Sequence, residues 1–261
     1  MDTSLRHSFA IQRRVIGALL MREVITRFGR HNIGFLWLFV EPMLFTVGVA
    51  GIWSLIGMGH GHGISFPVFA LTGYSSVLLW RNSATRATHA IEANMALIHH
   101  RNVRILDIFI ARVILEIVGT TISFMALGCI FWALGFMEPP AHVLQVVEGW
   151  LVLAWFGTAL AIFVGSISGR SDVVEKLWSP ISYLLFPLSG AAFMVEWLPP
   201  VFRTVVLWLP MVHGLEILRG GFFGAAVDAH FDRSYVLSAC LVLTLVALAQ
   251  CRIVSRQIIP E

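Results

Sequence analysis

Only 13% of the residues in this 261-residue chain are charged, so few side chains could do chemistry, and several of those stand inside apolar runs. Glu41, directly before Pro42, lies about one turn into the first long apolar stretch. A carboxylate in hydrocarbon is costly and usually faces protein or water. It either borders a path through the membrane or accepts hydrogen bonds from backbone freed near Pro42, and the structural role is the expected one. Asp107, Arg112 and Glu116 share a helix-compatible spacing, which suggests a local salt-bridge cluster rather than catalysis. Glu216 and Arg219, three apart, are neighbours on a helix and are expected to form a structural ion pair. His60 and His62 sit in a glycine-rich loop with no nearby carboxylate or thiolate, a poor metal site, so no metal is expected. Cys129, Cys240 and Cys251 include no CxxC pair, and no disulfide framework is expected. The only lysine, Lys176, follows Glu175, whereas a phosphate-binding loop needs Gly-Lys-Ser/Thr. With no nucleophile beside a base and no paired carboxylates, the chain reads as something other than an enzyme, binding no cofactor of its own.

The elements that must position these residues are apolar and long. The composition is 57% hydrophobic and 13% charged, with mean hydropathy +0.81, against roughly 25% charged residues in an ordinary soluble domain. Runs at 36–56, 64–80, 109–136, 143–168, 177–195 and 235–253 approach or exceed the ~20 residues that cross a bilayer. This predicts an all-α polytopic protein of six transmembrane helices, with residues 1–261 forming one membrane domain. Of the 18 basic residues, all but Arg203, Arg219 and Arg233 fall on one side if the N-terminus is cytoplasmic, so both termini are expected in the cytoplasm. That distribution suits anionic headgroups better than nucleic acid. Arg6, Arg13, Arg14, Arg22, Arg27 and Arg30 precede any long apolar run, and no signal peptide is expected.

Residues 1–35 are expected to hold an interfacial helix, with Val15, Ile16, Leu19 and Leu20 on one arc. Segment 196–233 has short apolar pieces broken by Pro199-Pro200, Pro210 and Gly220-Gly221, which suits outer re-entrant helices before the last span; a plain extramembrane loop is the alternative. Trp37, Trp80, Trp150, Trp178, Trp197 and Trp208 lie near span ends, where aromatic residues anchor helices at the interface. No internal repeat is visible, which weighs against an inverted-repeat secondary transporter.

The polar connection 81–104 contains a short helical stretch from Ala90 to Ile98, with Ile91, Met95 and Ile98 recurring at helical spacing. Such an edge either enters a partner's groove or packs on the protein's own helix ends.

Three stretches carry a family resemblance: Arg27-Phe28-Gly29 with Ile33-Gly34-Phe35-Leu36-Trp37 and Glu41-Pro42; Met95-Ala96-Leu97 with Leu106-Asp107, Ala111-Arg112 and Leu115-Glu116; and His213 to Arg219 followed by Gly220-Gly221-Phe222-Phe223-Gly224. Over nearly its whole length the chain resembles permease subunits of ABC-2 type exporters, and within them the branch exporting capsular polysaccharide across the inner membrane of Gram-negative bacteria. The resemblance implies a homodimer working with two separate ABC ATPase subunits, which bind ATP and Mg. It implies a lipid-linked anionic glycan as cargo, and periplasmic adaptor and outer-membrane export proteins as partners. It makes the 81–104 region the ATPase-coupling segment, with Ile91, Glu92, Asn94, Met95, Leu97 and Ile98 as coupling residues. Arg27, Arg30, Trp37 and Glu41 are candidates for contact with substrate or lipid, and the channel is expected between two copies, lined by spans one, two and five. Export of O-antigen, teichoic acid or a small molecule is the alternative within the architecture. Secondary transport and a membrane enzyme acting on lipid-linked sugars are the alternatives outside it.

Overall fold

A computed structural model describes residues 5–28, 32–56, 64–101 and 103–258. Among them are helices and no strand: α1 (Leu5–Phe28), α2 (Asn32–Ile56), α3 (Phe66–Thr88), a 3-10 turn (Glu92–Asn94) running into α4 (Met95–Arg101), α5 (Ile105–Ala133), α6 (Val143–Ser168), α7 (Asp172–Leu188), α8 (Pro200–Val206), α9 (Pro210–Phe223) and α10 (Arg233–Ile258). Helices satisfy every backbone polar group within the segment, the condition for crossing hydrocarbon. Among the described residues α5, α6 and α10 are each long and apolar enough to cross a membrane. The α8–α9 pair, bent by 107°, adds a fourth candidate if it counts as one span. The fold is therefore a polytopic helical bundle with three to four candidate spans. Arg30 and the loop with His60 and His62 lie outside the described residues.

The bundle is organised around α6. Two-thirds of its most apolar window is buried, against 22% for α10, and α6 packs on α3, α9 and α10. Gly149, Gly157 and Gly165 recur along it. A Cβ at Gly149 would stand 2.5 Å from the Leu218 backbone nitrogen, and one at Gly157 would stand 2.9 Å from the Trp80 Cα. Small residues let helix backbones approach where lipid supplies no hydrophobic drive for association.

Several expectations change. The arc Val15, Ile16, Leu19, Leu20 packs on the protein itself, against a core formed by Ile91, Ile98, Ile105 and Phe109. What α1 offers outward is the opposite arc, Ile11, Met21 and Ile25. Trp80, Trp150 and Trp178 are core residues rather than interface anchors. The indoles of Trp150 and Trp178 donate to Thr121 Oγ1 (2.9 Å) and Thr85 Oγ1 (3.0 Å), which meets the requirement that a buried N–H find an acceptor. Trp197 stacks on Phe69, while Trp37 and Trp208 are exposed.

Helix α3 runs on to Thr88, because its polar residues find partners on α7. Arg81 lies 4.0 Å over the Tyr183 ring and 3.4 Å from Ser182 Oγ. Helix α7 stops at Leu188 rather than continuing to 195. Pro187 is its penultimate residue, and Gly190 adopts φ +83°, open to glycine at little cost; residues 189–194 form a turn instead. Helix α3 is buried over most of its length, whereas α7 buries only Trp178 and Ser182.

Candidate functional site

The charged residues of α1 and α5 meet at one end of the bundle. Glu23 and Arg27 are four apart on α1, and Arg112 and Glu116 are four apart on α5, so each helix presents one carboxylate and one guanidinium on a single face. The helices dock with signs crossed. Arg27 pairs with Glu116, and Arg112 Nε lies 3.2 Å from Glu23 Oε1. Arg27 Nε also holds Glu23 within its own helix at 2.9 Å. From the end of α3, Arg86 Nε reaches to 3.8 Å from Glu116, and the Arg86 carbonyl accepts from Arg112 Nη1 at 2.7 Å. Burial pulls the Arg27 pKa down, but Glu116 and then Glu23 outweigh it, and the net shift is upward.

This geometry replaces two expectations. Asp107, Arg112 and Glu116 do not form a local cluster: Asp107 accepts from Gln12 of α1 at 2.9 Å, and the other two pair across to α1. Arg27 is no free cation waiting at the headgroups, since two carboxylates already hold it. The signal available in the sequence was the pair of opposite-sign doublets at four-residue spacing. What the sequence lacked was the α1–α5 contact that crosses them.

The segment expected to meet an ATPase sits beside this cluster and divides into two faces. Ile91 and Ile98 are 2% and 1% exposed and belong to the core. Asn94 is also buried, accepting from Arg22 and donating to the Ala90 carbonyl at 2.8 Å. These three hold the segment to the bundle, while Glu92 and Met95 are exposed and Leu97 is half-buried between the faces. The apolar edge read from the sequence thus splits: Ile91 and Ile98 pack inward and Met95 points out. At the foot of α7, His89 Nδ1 lies 3.0 Å from Glu175 Oε1. Ligand atoms of His89, Glu92 and Glu175 fall within 4.8 Å of one another. His89 and Glu92 are exposed, so the group ties the connection to α7 at the surface.

At the other end of the bundle Glu216 and Arg219 do not pair with each other; no salt bridge joins them. Arg219, fully buried, donates Nη1 to the carbonyls of Gly190 and Phe193 (both 2.7 Å) and Nη2 to that of Ala191 (2.8 Å), with its guanidinium 3.9 Å over the Phe69 ring. Glu216 accepts from the backbone nitrogens of Val195 (3.3 Å) and His230 (3.0 Å). Each residue serves the backbone of the 189–195 turn, one through its carbonyls and the other through an N–H. Spacing of three residues predicts proximity but not partnership, because buried backbone groups compete for the same charges.

Glu41 is half-buried and makes no hydrogen bond or ion pair among the described residues. The structural role expected for it fails for a simple reason. Proline frees a carbonyl, which is an acceptor and cannot satisfy a carboxylate. Trp37 on the same helix is exposed.

Comparison with known proteins gives consistent matches along the chain. The family model described as ABC-2 type transporter matches residues 14–223. The capsule polysaccharide export inner-membrane protein CtrC of Neisseria meningitidis serogroup B is 42% identical over 259 residues, covering 99% of this chain and 98% of that protein. The capsule polysaccharide export inner-membrane protein BexB of Haemophilus influenzae is 39% identical over 260 residues, covering 100% and 98%. The polysialic acid transport protein KpsM of Escherichia coli is 28% identical over 247 residues, covering 95% and 96%.

Proposed function

The chain belongs to the ABC-2 type transporter family, and on that premise we propose that it is the inner-membrane permease subunit of an ABC exporter of lipid-linked capsular polysaccharide. Two copies work with two separate ATPase subunits that hold ATP and Mg. The names of the CtrC and BexB relatives support capsule polysaccharide as the cargo and the inner membrane as the location. In this reading six helices cross the membrane, α2, α3, α5, α6, α7 and α10, with α8 and α9 re-entrant from the outer face and both termini cytoplasmic. The charged cluster of α1 and α5 then lies at the cytoplasmic end.

The observation that carries the mechanism is the two-faced coupling segment. Its inner face is locked into the bundle by Ile91, Asn94 and Ile98, and Met95 and Glu92 are left outward. A push delivered to that outer face by an ATPase reaches α3 and α5 directly, since the segment joins them. The channel forms between two copies along α2 and α7, whose apolar side chains are exposed (Leu44, Phe45, Leu177, Ile181, Leu184). Helix α3, included in the expected lining, is enclosed by its own protomer and contributes little. Glu41 and Trp37 lie on α2 and remain contact candidates for the glycan or its lipid. Arg27 instead acts by holding α1 to α5.

Gentle purification from native membranes with mass spectrometry of the copurifying chains tests this. An ABC-type ATPase in roughly equal amount is expected, with a periplasmic export adaptor beside it. Recovery without an ATPase, under conditions that preserve other such complexes, would reject the half-transporter reading.

A further inference from the structure

The crossed ion pairs leave charge over. Between α1, the end of α3, the 3-10 turn and α5 lies a cleft of about 300 Å³ lined by Arg22, Arg27, Arg86 and Arg112, with Thr26 and Asn94 at its wall. Four guanidinium groups converge there. The carboxylates that answer them are Glu23, on the wall, and Glu116, reached by Arg27 and Arg86. Two positive charges are therefore in excess within a partly enclosed space. Arg22 has a neutral partner, Asn94. Arg86 stands 3.8 Å from Glu116, with nearly half its side chain exposed. Arg112 Nε is buried and, although 3.2 Å from Glu23, makes no well-directed hydrogen bond. Each of these three has donor capacity that the protein does not use: Arg22 and Arg86 are exposed at the cleft and Arg112 Nε is buried. Guanidinium donors converging on one cleft suit an anion.

The geometry points to a phosphate group as that anion: we propose that this cleft is a phosphate-binding site joining α1 to the coupling turn. Guanidinium pairs with phosphate bidentately through short charge-assisted bonds. A phosphate dianion neutralises both excess charges at once, which a carboxylate does not. The four walls come from four elements, so occupancy fixes them relative to one another. One wall is Asn94, whose side chain anchors the coupling turn. Binding therefore stiffens the connection between α1 and the segment that meets the ATPase. The proposal holds whatever the chain exports. The phosphate can arrive from solution or as the headgroup of an anionic lipid, since α1 lies alongside.

The test uses full-length permease in two kinds of nanodisc. In neutral phosphatidylcholine discs, binding of radiolabelled inorganic phosphate is measured by equilibrium dialysis. In discs doped with phosphatidic acid, retention of that lipid is measured by native mass spectrometry. Arg86→Gln and Arg22→Gln each remove one guanidinium with donors to spare while leaving the Arg27–Glu116 and Arg112–Glu23 pairs in place. Arg252→Gln, an exposed position on α10, removes the same charge elsewhere. Losing one charged contact should weaken binding roughly tenfold to a hundredfold. That loss in Arg86→Gln and Arg22→Gln, with Arg252→Gln unchanged, is expected. Seen in the first arm it identifies soluble phosphate as a ligand, and seen in the second arm alone it identifies a lipid headgroup. Absence of binding in both arms overturns the proposal, as does equal weakening in all three variants. If one cleft variant fails to assemble, the other carries the same comparison.

Discussion

Replacing Arg219 with lysine should destabilise the protein markedly although the charge is kept. The guanidinium reaches three backbone carbonyls, two through Nη1 and one through Nη2, at 2.7–2.8 Å. Lysine is a point donor on a flexible stem and cannot span that fork. Retaining one of the three contacts and orphaning two buried carbonyls costs about 1.5 kcal/mol or more for each lost charged hydrogen bond, so at least ~3 kcal/mol in all. For a chain of this size each kcal/mol moves the Tm by about 2–4 °C, which predicts a fall of about 6–12 °C. The assay is thermal unfolding of purified permease in mild detergent, followed by fluorescence-detected size exclusion. Gly73→Ala supplies an independent route to the same damage, because its Cβ would press on the Ala191 carbonyl oxygen and stand 2.6 Å from Arg219 Nη2. If Arg219→Lys unfolds within about 2 °C of the wild type, the 189–195 turn does not depend on this fork, and the account of α9 is wrong.

Met95→Glu should abolish ATPase copurification with the Tm unchanged, because the side chain is exposed; a lowered Tm would place Met95 in the core. Ile98→Glu, at a position 1% exposed, should instead cost several kcal/mol of stability through an unpaired buried charge and be seen as loss of the monodisperse peak. Combining Glu216→Arg with Arg219→Glu should give no rescue over the single changes, since the two residues hold different backbone groups; a recovered Tm would mean that they pair directly. Arg27→Gln should loosen α1 by about 1–3 kcal/mol, read as faster hydrogen exchange across 12–27, and unchanged exchange would show that the α1 ion pairs carry no stability.

Much of the helix order was legible because hydrophobic runs announce themselves by length, and 143–168 matches α6 in both bounds. Ends were less legible. The polar tail of α3 looked like connection, because nothing in its own sequence reveals that Arg81 and Thr85 would find Ser182, Tyr183 and Trp178 on another helix. The C-terminal end of 177–195 looked like continuing span, because apolar residues wrapping a buried arginine have the same composition as those facing lipid. At the charged sites the residue types were right and the partners were not. Local spacing names neighbours, but Arg112 chose Glu23 and Arg219 chose three carbonyls, contacts set by tertiary docking at separations of 89 and about 26–29 residues.

The crossed signs of α1 and α5 have a consequence for how the chain is made. Sliding α1 by one turn along α5 sets Arg27 against Arg112, and sliding it the other way sets Glu23 against Glu116. Either slip places like charges in contact, so the pairing admits one register. During synthesis Arg27 is complete long before Glu116, 89 residues later, emerges. Until then Arg27 has only Glu23 of its own helix, and neither Arg112 nor Glu116 is present to fix the register. Only when α5 is in place can the crossed pairs close, which makes this lock a late step in building the bundle rather than the first.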